Sequence, residues 1–325
     1  MGLTNFPNGI SSMGMPVSGG GNPFGTTYFV DYTNGSDGNK GKSTNKPFKT
    51  IQQVLDVGSA GDNVILSPGT HYIDTGTDGA MVPLADMSFI AAIPPCGGMP
   101  STVITADADD LAAMVTVDVD GVSFHGIKFL LVAGATTAVD LFDIAQTTAV
   151  NGLVFQDCWF DLNSCDHATA IMRALAIDDG TNATTGLVVK NCRFLGGDAT
   201  TTEAEYIVTG VGGIPDALIE DNVFCLQSDD GDAVGINIGD PGAGDKNYAM
   251  LIRNNDFIGA MDGGADSVGI KFGGLDELEV IGSIRTNYFA YCSATAVTID
   301  KMNKGVVWNY VGDNATGGTL VDPGT

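Results

Sequence analysis

The chain of 325 residues is long enough for two average domains or for one large repetitive domain. It carries 39 acidic and 14 basic residues, and the resulting formal net charge of −25 disfavours direct binding to nucleic acid. Only five of the acids are glutamate, which leaves 34 aspartates; with 45 glycines they predict many turns and exclude a large helical fold.

The first 27 residues contain no charged side chain and are interrupted by glycine and proline. They lack the basic head and apolar stretch of a cleaved signal peptide, and no run of about 18 apolar residues predicts a membrane span. Disordered tails are usually charged and poor in Phe, Ile and Met. The pattern therefore favours an extended arm that orders in a groove of a partner, with a disordered tail as the alternative.

Two short segments of this arm, TNFPNGI (4–10) and GMPV (14–17), resemble the opening segment of some structural proteins of tailed bacteriophages. The resemblance implies that the arm anchors the chain to a virion, through the major capsid protein or another virion protein. The implied anchor residues are Leu3, Asn5, Phe6, Pro7, Ile10, Met13, Met15, Pro16 and Val17.

Residues 28–61 form the second predicted unit, a strand followed by a capping helix. Pro47 fits the first turn of a helix, and the spacing of Phe48, Ile51, Val54 and Leu55 places them on one helical face. Such a helix would cover the open end of a solenoid. The lysines of this unit predict a solvated loop, with a contact to an acidic neighbour as the alternative; they are Lys40, Lys42, Lys46 and Lys49.

This unit also resembles the entry segment of the pectate-lyase-like superfamily of right-handed parallel β-helices. The resemblance is carried by YFV (28–30), GSDG (35–38), PFKTI (47–51), GD (61–62) and LSPG (66–69). It implies the fold for the whole chain. It does not imply one function, because the superfamily contains lyases, hydrolases, adhesins and virion proteins.

Residues 62–325 contain a repeat that ends in a phenylalanine every 30 to 34 residues. The repeated phenylalanines are Phe129, Phe160, Phe194, Phe224, Phe257 and Phe289. Each repeat holds short strands with alternating polarity and a Gly, Asp, Asn or Thr corner, which is typical of one turn of a β-solenoid. The sequence therefore predicts an all-β fold: a single-stranded right-handed parallel β-helix with coils of about 32 residues and a short N-terminal capping helix.

Equivalent residues of successive coils are expected to stack. Two positions before the repeated phenylalanines, Asn222, Asn255 and Asn287 predict an amide ladder. Cys158 and Cys192 occupy the same column and are interpreted as buried free thiols. The six cysteines show no spacing that favours a disulfide framework or zinc.

The best pair of stacked carboxylates is Asp157 and Asp221, two coils apart at the corner column, or about 9.6 Å between backbones. With Trp159 and Arg193 two residues further on, they form a weak hypothesis for a saccharide site with two catalytic acids. An ordinary solvated corner is the alternative. Aspartate clusters at 107–110, 118–120, 178–179 and 229–232 allow a structural Ca²⁺ ion, although none follows the EF-hand pattern; no other cofactor is expected.

These features favour a non-enzymatic virion structural protein, a capsid decoration or fibre-like protein displayed on the virion surface after assembly in the host cytoplasm. The resemblance to β-helical virion proteins implies a homotrimer. The alternative is a tailspike-like protein that binds or degrades a host glycan, and a bacterial surface adhesin is a third possibility.

Overall fold

The structure is a computed structural model, and it is almost entirely β. It describes residues 11–12, 15–16, 24–73, 79–95, 98–106, 113–131, 140–145, 147–162, 171–177, 182–196, 203–209, 213–226, 233–238, 247–259, 268–272, 280–290, 297–299, 309–312 and 319–321. Within these residues lie one helix, Ile51–Val57, and three long sheets, here called A, B and C. No helix in this part of the chain is long and apolar enough to cross a membrane.

From Ser88 to Ile299 the strands of the three sheets follow one another in the order A, B, C. Sheet A contains Thr27–Val30, Asn63–Leu66, Ser88–Ala91, Ser123–His125, Val154–Gln156, Val188–Lys190, Leu218–Glu220, Asn247–Arg253 and Val280–Arg285. Sheet B contains Gly69–Ile73, Thr102–Ala106, Lys128–Leu130, Trp159–Asp161, Arg193–Leu195, Val223–Cys225, Asp256–Ile258, Tyr288–Ala290, Asn309–Gly312 and Thr319–Val321. Sheet C contains Ala113–Val117, Asp140–Ile144, Ile171–Ile177, Glu203–Thr209, Ala233–Ile238, Val268–Phe272 and Val297–Ile299.

Neighbouring strands within each sheet are parallel, apart from the antiparallel pair that ends sheet B. Two short pairs complete the described strands: Ser11–Ser12 with Met15–Pro16, antiparallel, and Val150–Asn151 with Thr184–Thr185, parallel. The chain runs from sheet A to B to C and returns to A one step further along the stack. This is the parallel β-helix predicted from the repeat.

The repeated phenylalanines form a continuous stack inside sheet B. All six are fully buried, and the backbone register pairs each with the next. Centroids of successive rings lie 4.5–5.6 Å apart, and the ring planes are nearly parallel. A second stack, Phe89–Phe124–Phe155, lies on the side of sheet A, and the edge-on ring of Phe142 joins the two. Buried aromatic stacking of this kind adds to the hydrophobic stabilisation of each coil.

A single left-handed residue makes each corner between sheets A and B. The backbone φ angle lies between 52° and 71° at Gly126, Asp157, Asn191, Asp221, Asn254 and Thr286. Asn, Asp and Gly tolerate this conformation better than other residues, which explains why the repeat places them three positions before its phenylalanine. The β-branched Thr286 is the least suited of the set.

Just after the corner, the predicted amide ladder is present. The Oδ1 atom of Asn255 accepts from the backbone N–H and the Nδ2 of Asn222, at 3.0 and 2.9 Å, and Asn287 does the same for Asn255. All three side chains are buried. Cys158 and Cys192 continue this column as free buried thiols, as predicted. Cys96, Cys165 and Cys292 lie outside the described residues.

The capping helix is shorter than predicted. It begins after Thr50, whose hydroxyl accepts from the Gln53 N–H, and buries Ile51 and Val54. The prediction that Pro47 occupies the first turn is wrong. Phe48 instead forms a β-bridge with Val30, which places it along the outer edge of sheet A.

Replacing Asn255 by alanine should lower the free energy of unfolding by at least about 2 kcal/mol, because the buried N–H and Nδ2 donors of Asn222 lose their acceptor and the Ile219 carbonyl loses a donor. Denaturant unfolding monitored by circular dichroism measures the change. The same replacement at the exposed Asn45 is the control. An equal loss in both variants would contradict the ladder as a source of stability.

Candidate functional site

The two predicted catalytic aspartates lie at corners, and each is bonded to the next coil. The Nδ2 group of Asn191 donates to Asp157 Oδ1, and the Nδ2 group of Asn254 donates to Asp221 Oδ1 at 3.3 Å. The Gln156 amide also donates to the other oxygen of Asp157, at 3.3 Å. Asn191 lies between the two carboxylates in the stack, as the sequence indicated. The arrangement gives both acids a role in holding consecutive corners together.

Trp159 and Arg193 are neighbours on the outer face of sheet B. Their backbones pair directly, and the Arg193 guanidinium carbon lies 5.1 Å from the centre of the indole ring. The residue on the other side of Trp159 is Lys128, which forms an ion pair with Asp161 at 2.6 Å. The structure therefore brings the two predicted saccharide contacts together. It also gives the indole a cation as a partner for one of its faces.

Sheet A carries a row of alternating charges on its outer face. Glu220 is buried, and its carboxylate contacts Lys190 on one side at 2.6 Å and Arg253 on the other at 2.5 Å. The hydrogen bond from Lys190 and the charge of Arg253 lower the pKa of Glu220. Because both cations are partly exposed, we interpret this row as structural.

Sheet C carries a second charged row that the sequence reasoning missed. The backbone register stacks Asp140 on Arg173 and Arg173 on Glu205. The guanidinium group of Arg173 makes a two-pronged contact with the Asp140 carboxylate, Nε to Oδ1 at 2.8 Å and Nη2 to Oδ2 at 2.9 Å. Glu205 accepts from the side-chain amide of Asn237 at 2.9 Å.

The electrostatics of Asp140 set it apart from the other ion-paired acids. Burial raises the pKa of Asp140 to about 6 in spite of the neighbouring Arg173, and the negative charges of Asp143 and Glu205 add to the rise. Arg173 is itself held charged, with a raised pKa, by Asp140. A carboxyl that titrates near neutrality beside a guanidinium and a second acid is a recurrent arrangement at catalytic and binding sites.

A signal for this row was present in the sequence. Asp140, Arg173 and Glu205 are spaced by 33 and 32 residues, which is the spacing of the repeated phenylalanines. The sequence pattern instead favoured the aspartate-rich corner as the candidate site, because the corner residues lie next to the phenylalanine that defines the repeat.

The aspartate clusters proposed for Ca²⁺ are only partly described. Those at 107–110, 178–179 and 229–232 lie outside the described residues. Asp118 and Asp120 bond to the following coil, through Thr147 and Asn151. Within the described part of the chain, no group of three or more His, Cys, Asp or Glu side chains could hold a metal ion.

Solved structures align with this chain, whereas no protein-family model and no curated protein matches it. A rhamnogalacturonan lyase aligns with a TM-score of 0.51 and 18% identity over 83% of this chain and 69% of its own. A pectin methylesterase from Aspergillus niger aligns with a TM-score of 0.42 and 12% identity over 89% of this chain and 82% of its own. Pectate lyase Pel9A aligns with a TM-score of 0.36 and 12% identity over 86% of this chain and 76% of its own. At 18% identity the likeness to the rhamnogalacturonan lyase shows the parallel β-helix fold and nothing about activity.

The raised pKa of Asp140 predicts a pH dependence of stability. Between about pH 4 and pH 6, Asp140 is protonated in the folded chain but ionised in the unfolded chain. The contribution of Asp140 to the free energy of unfolding is therefore largest below about pH 4 and is lost as the pH rises to about 6. Relative to D140N, the wild-type chain should therefore lose stability across this window. Urea unfolding at pH 4, 5, 6 and 7 measures the difference.

The same replacement at the exposed Asp56 of the helix controls for the loss of one negative charge. A difference between wild type and D140N that stays constant from pH 4 to 7 would contradict the raised pKa.

Proposed function

We propose that the protein is a non-enzymatic structural component of a bacteriophage particle, a capsid decoration or fibre-like protein that residues 1–27 attach to another virion protein. The observation that carries the proposal is the contrast between this charge-free, semi-apolar arm and a body that begins at the first strand of sheet A. Of the arm, the structure describes Ser11–Ser12, Met15–Pro16 and residues 24–27. The other implied anchor residues, among them Phe6 and Ile10, lie outside the described residues.

The β-helix supports this role because its lateral polar groups bond from coil to coil. Corner acids bond to corner amides, the asparagine ladder bonds to itself and to backbone carbonyls, and the row on sheet A neutralises Glu220. A stack tied in this way is suited to a rigid surface element. We further propose that it assembles as a homotrimer, which a native mass of three times the chain's 33.5 kDa would support.

Attachment is tested by sedimentation of the full-length chain with virus particles that lack it. The variant F6S/I10S should pellet at least about tenfold less than the wild type, because apolar anchors carry most of the energy of a bound arm. The matched control is V82S/I93S, which removes two exposed apolar side chains from the β-helix. Equal sedimentation of both variants and the wild type would contradict the anchor, and failure of all three would contradict the virion role.

A second function is favoured by the row on sheet C. Asp140 and Glu205 lie two coils apart, about 9.6 Å between backbones, with Arg173 between them, and a pair of carboxyl groups is what most glycosidases use to cleave a glycosidic bond. Asp140, protonated up to about pH 6, could serve as the acid, and Arg173 could bind an acidic sugar. This is the glycan-active alternative, with its acids on sheet C and not at the corner.

Reducing-sugar release from acidic polysaccharides separates the two functions. The structural proposal expects none from the wild-type chain. The glycan-active proposal expects release that D140N and E205Q each lower by at least about a hundredfold, while D157N and D221N stay within twofold of the wild type. Release abolished by the corner variants would instead assign the site to Asp157 and Asp221.

A further inference from the structure

The N-terminal end of the β-helix has a charge opposite to that of the rest of the molecule. Residues 28–61 contain four lysines and three aspartates, a net charge of +1, whereas residues 62–325 contain 10 bases and 36 acids, a net charge of −26. The four lysine side chains are all exposed; they are Lys40, Lys42, Lys46 and Lys49. We call the surface that they form the lysine face.

Two of the three acids of residues 28–61 accept hydrogen bonds from backbone groups. Asp37 accepts from the N–H groups of Lys49 and Thr50, and Asp31 accepts from those of Thr33 and Asn34. Among the described residues, no lysine of this face forms an ion pair. Two of them lie against aromatic rings, Lys42 at 5.6 Å from the centre of Tyr28 and Lys49 at 5.1 Å from that of Tyr32. These contacts hold the ammonium groups over the end of the stack.

The lysine face covers the outermost strand of sheet A. Phe29 in that strand donates its N–H to the Gly41 carbonyl at 2.7 Å and accepts from the Phe48 N–H at 2.9 Å. The loop of residues 31–50 therefore occupies the edge that the next coil would otherwise use. The lysines lie on the end of the solenoid.

The arm leaves the body at the same end and from a fixed point. The Thr26 N–H donates to the buried Asp62 carboxylate at 2.7 Å, and the Thr26 carbonyl accepts from the Asn63 N–H at 2.8 Å. Gly25 lies so close to Gly61 that an added Cβ would be 1.8 Å from its carbonyl oxygen. The point where the arm joins the β-helix is thus fixed at the first strand, next to the lysine face. Most of the acidic residues belong to later coils.

We infer that the lysine face is a docking surface for an acidic protein surface that surrounds the binding site of the arm. The inference rests on the proposed virion role and specifies the chemistry of the partner. The arm supplies apolar contacts, the lysine face supplies attraction and orientation, and the strongly negative body is turned away from an anionic partner. Nucleic acid is disfavoured as the partner, because the remaining net charge of −26 repels a phosphate backbone.

The experiment compares full-length K40E/K46E with the wild type in sedimentation with particles that lack the protein, at about 50 and 500 mM salt. Lys42 and Lys49 are left intact, because they contact tyrosines. The matched control is K271E/R285E, which makes the same change in charge at two exposed positions near the other end of the stack. At low salt, K40E/K46E should bind at least about fivefold more weakly than the wild type and lose most of its salt dependence, while the control binds like the wild type.

Each other outcome overturns the inference. If K40E/K46E and the wild type pellet equally, the lysine face is not a contact although the virion role stands. If the wild type itself does not pellet, the virion role fails and the inference fails with it. If the wild type binds a 30-base-pair DNA duplex and K40E/K46E does not, the face recognises phosphate and not an acidic protein. Unchanged thermal unfolding of both variants shows that neither result comes from misfolding.

Discussion

The parallel register between coils is the constraint from which most of this structure follows. Each backbone pairs with its equivalent about 4.8 Å away, so the nearest lateral neighbour of a side chain is the residue at the same position of the next coil. Inside, this favours side chains that bind copies of themselves. Phenylalanine rings stack face to face, and asparagine both donates and accepts along a column. The repeat is visible in the sequence because such self-pairing residues recur at one spacing.

On the outer faces the same register penalises identical charges, and part of sheet A alternates them. Lys190, Glu220 and Arg253 succeed one another on sheet A, although Arg285 then follows Arg253. The excess of aspartate is accommodated differently. Asp118, Asp120, Asp157 and Asp221 each bond to an amide, hydroxyl or backbone N–H of the following coil. Aspartate is suited to these positions because its short side chain reaches local N–H groups and tolerates left-handed corners.

The sequence predicted the columns that repeat one residue type from coil to coil, and it missed the row in which the residue type changes at every coil. The phenylalanine column, the corner residues and the asparagine ladder repeat a residue type at a constant spacing, so their positions could be read directly. The row Asp140–Arg173–Glu205 keeps the spacing but changes residue type at every step. The alternation of buried and exposed residues is also broken next to Asp140, since Leu141 and Phe142 are both buried. A strict period of two therefore assigns Asp140 to the wrong face of its strand. Pro47 was misjudged because the pairing of Phe48 with Val30 is a tertiary contact that helix signals do not contain.

The two charged rows differ in the order of their charges and in how burial acts on the pKa of the acid. On sheet A an acid lies between two cations, and its pKa falls. On sheet C a cation lies between two acids, and the buried acid at one end shares that cation with Glu205 and is also near Asp143. A row of the first kind is neutralised and stabilises the stack. On sheet C burial raises the pKa of Asp140 to about 6 in spite of Arg173, which costs stability above about pH 6 and gives the fold a carboxyl group able to exchange a proton. That cost is the physical reason to test the sheet C row for chemistry, beside the attachment that we propose for the arm and the lysine face.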